Sequence, residues 1–220
     1  MGGIAKHRIG RTMTQSIGIL FDLDSTLIDS SAAVRGAWIQ LAQEAGFDPR
    51  NLIGLHGIPA DGCLRILLPD HTDDQIQAWV ARIEELEIDT VEAIRPIAGA
   101  PELLAELDLR NIPWAIVTSC TAPLAAARLA ASGIGTPQHM VTFSDVTHGK
   151  PHPEPFLLGA ARLNLHPSQC WVIEDAHSGV TAGKAAGCKV AAVLTTHTRQ
   201  ELPHADFHME SLLDLLTLIG

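Results

Sequence analysis

Five short apolar, β-branched runs recur along this chain, at residues 16–21, 114–117, 140–143, 171–173 and 189–194. The first, SIGILF, ends abruptly in charge. Runs of this kind read as strands buried on both faces of a parallel sheet. Between them lie Ala- and Leu-rich segments of helical period at 101–107, 123–131, 155–163 and 178–186. Pro or Ser near the first turn and Gly near the end are ordinary start and stop signals. Strand and helix in alternation predict an α/β fold, a doubly wound, Rossmann-like parallel sheet with helices on both faces.

The first crossover breaks this rhythm. About 80 residues separate the first run from the helix before the second. A structureless loop of that length inside a compact domain is improbable. The segment is itself periodic: 32–45 sets Val34, Trp38, Leu41 and Ala45 on one stripe, and 73–92 has a similar period. Residues 30–96 are therefore expected to form an inserted helical cap domain. Linkers at 28–31 and 95–98 would join it to a core made of 15–29 and 97–220. Residues 1–14, with Lys6, Arg8 and Arg11, read as an N-terminal extension, and Met13 is a second candidate start.

A formal net charge of -10 would repel a nucleic-acid duplex or an anionic membrane, so neither is expected as a partner. The same field opposes an anionic substrate, so phosphate handling would need a local cation. Cys63, Cys120, Cys170 and Cys188 include no C-x-x-C pair and follow no secretory segment, which suits reduced thiols in a cytoplasmic protein.

In open α/β sheets, ligands bind beyond the carboxyl ends of the strands. The first expected strand ends in Asp22-Leu23-Asp24-Ser25-Thr26, and the second in Thr118-Ser119. Gly149-Lys150-Pro151 follows the third, and Glu174-Asp175 ends the fourth. Singly, each has an ordinary structural reading: a capped turn, a helix N-cap, a solvated lysine, a solvated strand end. Together they supply what phosphoryl transfer demands. A carboxylate nucleophile cannot approach an anionic phosphate until its charge is offset, and magnesium prefers oxygen ligands. A lysine adds fixed positive charge, and hydroxyls with backbone N–H groups hold the other phosphate oxygens. A second carboxylate can protonate a leaving alkoxide and later deprotonate water.

The stretch Phe21-Asp22-Leu23-Asp24-Ser25-Thr26-Leu27-Ile28-Asp29-Ser30 resembles the first motif of the haloacid dehalogenase superfamily. Val117-Thr118-Ser119, Gly149-Lys150-Pro151 and Val172-Ile173-Glu174-Asp175 are similar to the other three. The resemblance covers the chain after about residue 15, and a cap placed after the first motif matches one subfamily. It implies a phosphatase in which Asp22 is the nucleophile and a metal ligand. Asp24 would be the general acid/base and lend its carbonyl to the metal. Thr118 and the Ser119 amide would hold phosphate oxygens, and Lys150 would pair with Asp22 and the phosphate. Asp175 would bind Mg2+, with Glu174 binding it directly or through water. Ser25 departs from the family's commoner Gly.

Within the superfamily, the closest likeness is to bacterial sugar phosphatases carrying a His-Gly-x-Pro segment, here His56-Gly57-Ile58-Pro59. A small phosphorylated sugar or polyol is the expected substrate, and a monomer or weak homodimer the expected state. His56, and Arg65 along the following helix, are candidates for contacting it. β-Phosphoglucomutases are the nearest alternative. They carry a His where this chain has Val34, and a cap Arg where it has Ala60, so a second phosphate would lack its anchor. Phosphonatases need a cap lysine, and Lys6, Lys150, Lys184 and Lys189 all lie outside 30–96. A phospho-Asp receiver would be a signalling module without a cap or a partner for Asp24. His139, His148 and His152 lack the spacing of a closed zinc site and read as solvated. Cys120 reads as a small space-filling side chain.

Overall fold

A computed structural model describes residues 16–55 and 59–220 of the chain. The strands are β1 (Gly18–Phe21), β2 (Ile28–Asp29), β3 (Arg95–Pro96), β4 (Trp114–Val117), β5 (Met140–Val141), β6 (Cys170–Glu174), β7 (Lys189–Val193) and β8 (Phe207–Met209). The helices are α1 (Ser31–Ala45), α2 (Ala60–Leu67), α3 (Asp73–Asp89), α4 (Ala100–Leu109), α5 (Ala122–Ser132), α6 (Glu154–Arg162), α7 (His177–Ala185) and α8 (Asp214–Ile219). Six strands form one parallel sheet in the order β5-β4-β1-β6-β7-β8. The expected extension at 1–14 lies outside the described residues.

The period-2 geometry of a strand sends its apolar residues alternately into two cores. Ile19 and Phe21, Ile116, Trp171 and Ile173, and Ala191 and Val193 face one core, closed by α4, α5 and α8. Leu20, Ala115 and Val117, Cys170 and Val172, and Val190 and Ala192 face the other, closed by α6 and α7. This two-sided burial is why the strands read as continuous apolar runs. Gly159 lets α6 lie close against β1 and β4, since a Cβ there would press into Val117 and Leu20.

The structure departs from the sequence expectations at several points. The run at 140–143 is a strand only through Val141. Thr142 then takes two bonds to Asp145, its amide and its hydroxyl both donating to Oδ2, and this starts a 3₁₀ turn at Phe143–Asp145. β8 escaped the sequence reading because it is three residues long and includes a polar His208. The buried stripe of α1 is Ala33, Ala37, Leu41 and Ala42, so it is rotated from the expected one; Val34, Trp38 and Ala45 are only half-buried at its flank.

Residues between β2 and β3 form a separate helical layer. Leu41 of α1, Leu64 of α2, and Ile76, Ile83 and Leu86 of α3 pack into a third apolar cluster. Thr72 and Gln75 close a reciprocal capping box at the start of α3, which ends at Asp89, short of the expected 92. The segments entering and leaving this layer pair with each other: Ile28 lies opposite Pro96 and Asp29 opposite Arg95, in an antiparallel ribbon.

Candidate active site

The carboxyl ends of β1, β4 and β6 and the loop before α6 converge on one edge of the sheet. Asp22 leaves β1 still tied to β6, its amide donating to the Ile173 carbonyl at 2.9 Å. The chain then turns sharply through Ser25, whose φ of 62° lies in the left-handed region. That conformation explains why Gly is the common residue of the motif there; Ser25 accepts it and takes a hydrogen bond on its carbonyl from Thr195.

Lys150 is the centre of the site. Its ammonium donates to Asp22 Oδ1 and to Glu174 Oε1, each at 2.7 Å, and its side chain is 3% exposed. Phe156 lies beneath it, with the ring centroid 5.0 Å from Nζ. Glu174 is held from its other side by the Asp175 and Ala176 amides at 3.0 and 3.1 Å, and Thr196 donates to Asp175. Carboxylate oxygens of Asp22, Glu174 and Asp175 come within 4.8 Å of one another, and all three residues are buried.

These charges strain against one another. Burial raises the Asp22 carboxyl; Lys150 pulls it back, and Glu174 and Asp24 push it up again. Burial likewise raises Glu174 and Asp175, with Lys150 opposing and a neighbouring carboxylate adding to each. Burial also works against the Lys150 charge, but Asp22 and Glu174 outweigh it and keep the lysine protonated. One ammonium therefore faces three buried carboxylates. An all-oxygen set of this kind fits a hard divalent cation such as Mg2+, which would relieve the surplus negative charge.

Thr118 is buried at the end of β4, its amide on the Val141 carbonyl, and its hydroxyl accepts the Cys120 amide at 3.1 Å. Ser119 beside it is exposed. Asp24 stands apart from the Lys150 cluster. Its Oδ1 accepts from Ser30 at 2.6 Å; its Oδ2 accepts from Cys120 Sγ at 3.0 Å and from Arg128 Nη1 at 2.5 Å. Cys120 is thus a donor to Asp24 as well as a filler of space. Arg128 Nη2 reaches on to Glu87 of α3 at 2.8 Å, and Thr121 donates to Glu84 of the same helix.

The sequence reading missed Arg128 and Glu87. The signal was present: on α5 the buried stripe Leu124, Ala125 and Leu129 carries an arginine in its midst. Arg65 is not brought together with this cluster. Its guanidinium is exposed and engaged by Asp61 and Asp73 on a solvated face. His56 lies outside the described residues. His148 and His152 do meet, around Glu154, but both are exposed, and Glu154 is already occupied by the Thr147 and His148 amides.

A parallel sheet with a buried lysine–carboxylate centre at its carboxyl edge, and a helical layer inserted after the first strand, defines a phosphate-handling α/β hydrolase. Residues 19–193 match the haloacid dehalogenase-like hydrolase family, and the chain belongs to it, as a phosphatase. It is 41% identical to hexitol phosphatase A of Escherichia coli (strain K12) over 196 residues, 89% of this chain and 91% of that one. It is 31% identical to the fructose-1-phosphate phosphatase YqaB of the same organism, over 77% of this chain and 92% of the relative. The fold is also that of the β-phosphoglucomutase of Clostridium difficile, with a TM-score of 0.78, 22% identity, and coverage of 93% of this chain and 96% of that one. No helix among the described residues is long and apolar enough to cross a membrane.

Proposed function

We propose that this enzyme hydrolyses small sugar or sugar-alcohol phosphates, in a Mg2+-dependent reaction that passes through a phosphorylated Asp22. The observation that carries this reading is the placement of Lys150, bonded to Asp22 and Glu174 beside a third buried carboxylate, Asp175. Asp22, Glu174, Asp175 and the Asp24 carbonyl would hold the metal, which supplies positive charge against the phosphate.

Asp22 attacks phosphorus, forming an acyl phosphate as the bond to the sugar oxygen breaks. The Asp24 carboxyl gives its proton to that departing oxygen, then takes one from the water that hydrolyses the acyl phosphate. Lys150 pulls the Asp22 carboxyl toward its ionised form, against burial and the neighbouring carboxylates, and offsets the phosphate charge. Thr118 and the Ser119 amide bind the remaining phosphate oxygens.

Residues 30–96 act as the cap that chooses the sugar, because the core residues address only the phosphoryl group. His56 is the residue assigned to that choice. The similarity to hexitol and fructose phosphate phosphatases supports a short polyol or sugar as the alcohol. Four buried thiols, none in a disulfide, support a reducing cytoplasmic setting, and the enzyme would act as a monomer or weak homodimer.

The test is phosphate release from a panel of hexitol, hexose, pentose and glycerol phosphates, with magnesium and with EDTA, beside an assay for exchange between hexose 1- and 6-phosphates. Magnesium-dependent release from a subset of the panel, with negligible exchange, is expected. Full activity in EDTA, or exchange faster than hydrolysis, would sink the reading.

A further inference from the structure

The Arg128 side chain is 6% exposed, on the apolar stripe of α5, where a leucine or methionine would pack at no electrostatic cost. Instead it bridges two carboxylates from different parts of the fold: Asp24 from the turn after β1, and Glu87 from α3 of the inserted layer. Its Nε is buried without a hydrogen-bond partner. A buried cation kept in an apolar stripe, with one donor left unpaired, calls for a task beyond packing.

We propose that Arg128 is the positioning residue for the Asp24 carboxylate, and that Glu87 fixes Arg128 in turn. The inference rests on the reading of Asp24 as general acid/base. In the first step an Asp22 oxygen bonds to phosphorus, the bond from phosphorus to the alcohol oxygen breaks, and the Asp24 proton passes to that oxygen. The proton must be delivered along a fixed line. Ser30 fixes Oδ1, while Arg128 and Cys120 fix Oδ2, so donors from three segments define the carboxylate plane. The two Nη atoms of a guanidinium serve Asp24 and Glu87 from separate nitrogens; a lysine would have to bring both carboxylates to one nitrogen, as Lys150 does, and loses the planar fork. Through this bridge the inserted helices share in placing the acid, and with it in the timing of proton transfer.

The test compares kcat/KM for a hexitol phosphate, whose alkoxide must be protonated on leaving, with that for p-nitrophenyl phosphate, whose phenolate need not be. The intact enzyme is used with magnesium, and thermal melts check folding. Arg128→Gln should lower kcat/KM on the alkyl ester by about 10- to 100-fold and on the aryl ester by less than about 3-fold. Arg128→Lys should fall between wild type and the Gln variant. In an Asp24→Asn background, Arg128→Gln should cause no further loss, because the two act as a unit. Equal losses on both esters, or a full additional loss in that background, overturns the proposal. Should the Arg128 variants fail to fold, Glu87→Gln decides: it must show the same bias against the alkyl ester, and no bias overturns the inference. Asp24→Asn with wild-type activity on the alkyl ester would instead remove the reading of Asp24 itself. An impaired Asp24→Asn beside an unimpaired Arg128→Gln removes only the role of Arg128.

Discussion

Gly179 in the first turn of α7 runs so close to Glu174 that a Cβ on it would overlap the Glu174 carboxylate. The glycine thereby lets a helix start directly beneath a buried acid that Lys150 also holds. Gly179→Ala must push Glu174 off Lys150 or push α7 off the sheet. Turnover should fall by at least about 100-fold, since a displacement of about 1 Å at a reacting centre has that effect. The melting temperature should fall as well. Wild-type turnover with a lowered melting temperature would show that α7 yields and Glu174 stays on Lys150; wild-type values of both would rule out the close approach.

Asp22→Asn and Asp24→Asn should separate the two aspartates. Asp22→Asn keeps the size of the side chain but loses the nucleophilic charge, so phosphate release should drop to background on every substrate. Asp24→Asn keeps the nucleophile and should lose about 10²–10⁴-fold on alkyl phosphates. With an aryl phosphate it should still release a first equivalent of phenolate rapidly and then stall at the phosphoenzyme. A stopped-flow trace reads that burst. Activity surviving in Asp22→Asn but not in Asp24→Asn would reverse the roles.

Metal removal has a readout besides activity. Three buried carboxylates around one lysine repel one another, so a divalent cation should stabilise the fold as well as switch on turnover. At about 100 times its dissociation constant, magnesium should add about 2.7 kcal/mol. That is a rise of several degrees in melting temperature, at about 2–4 °C per kcal/mol for a chain of this size. Asp175→Asn should lose most of that rise. A magnesium-independent melt in wild type would argue against the metal site.

The acid limb of stability should depend on Asp145. Its carboxylate accepts from Arg162, at 2.6 Å, and from the Thr142 amide and hydroxyl. Burial works against its charge, but these donors outweigh it and hold the carboxyl at about 2, below the ordinary 3.8. A depressed acid contributes stability above its unfolded value and loses it as pH falls through the folded one. Asp145→Asn should therefore cost about 1 kcal/mol at pH 7, in the range of a lost helix cap. The gap from wild type should close as pH falls from about 4 towards 2. Urea midpoints at several pH values measure it, and a gap that stays constant with pH would rule the assignment out.

Substrate choice should reside in the inserted helices. His56→Ala is expected to lower kcat/KM for the best sugar phosphate by about 10- to 100-fold, the cost of an unpaired polar contact. The loss on p-nitrophenyl phosphate should be much smaller, because that ester offers no sugar hydroxyls. Equal losses would assign His56 to the fold or the chemistry instead.

The sequence by itself determined the layers and the chemistry. Strands buried on both faces must be continuously apolar, so the runs at 16–21, 114–117 and 171–173 stood out from the surface helices around them. A polar residue at the carboxyl end of such a strand, or in the loop that follows it, has one edge on which to appear, so Asp22, Thr118, Lys150 and Glu174 could be placed together from the sequence. Where the backbone pattern was short or mixed, as at Phe207–Met209, it carried too little period to read. What only the tertiary structure decided was pairing between distant segments. Arg128 reaches Asp24 across 104 positions and Glu87 across 41, separations that no periodicity encodes. The rotation of α1, which buries Ala33 and Ala37 rather than Val34 and Trp38, was likewise settled by what it meets: Ala33 packs into the core on the sheet and Ala37 into the helical layer. Local pattern specifies which face of an element is apolar. Which charged groups share a low-dielectric interior follows from long-range packing, and that sharing sets the chemistry of the site.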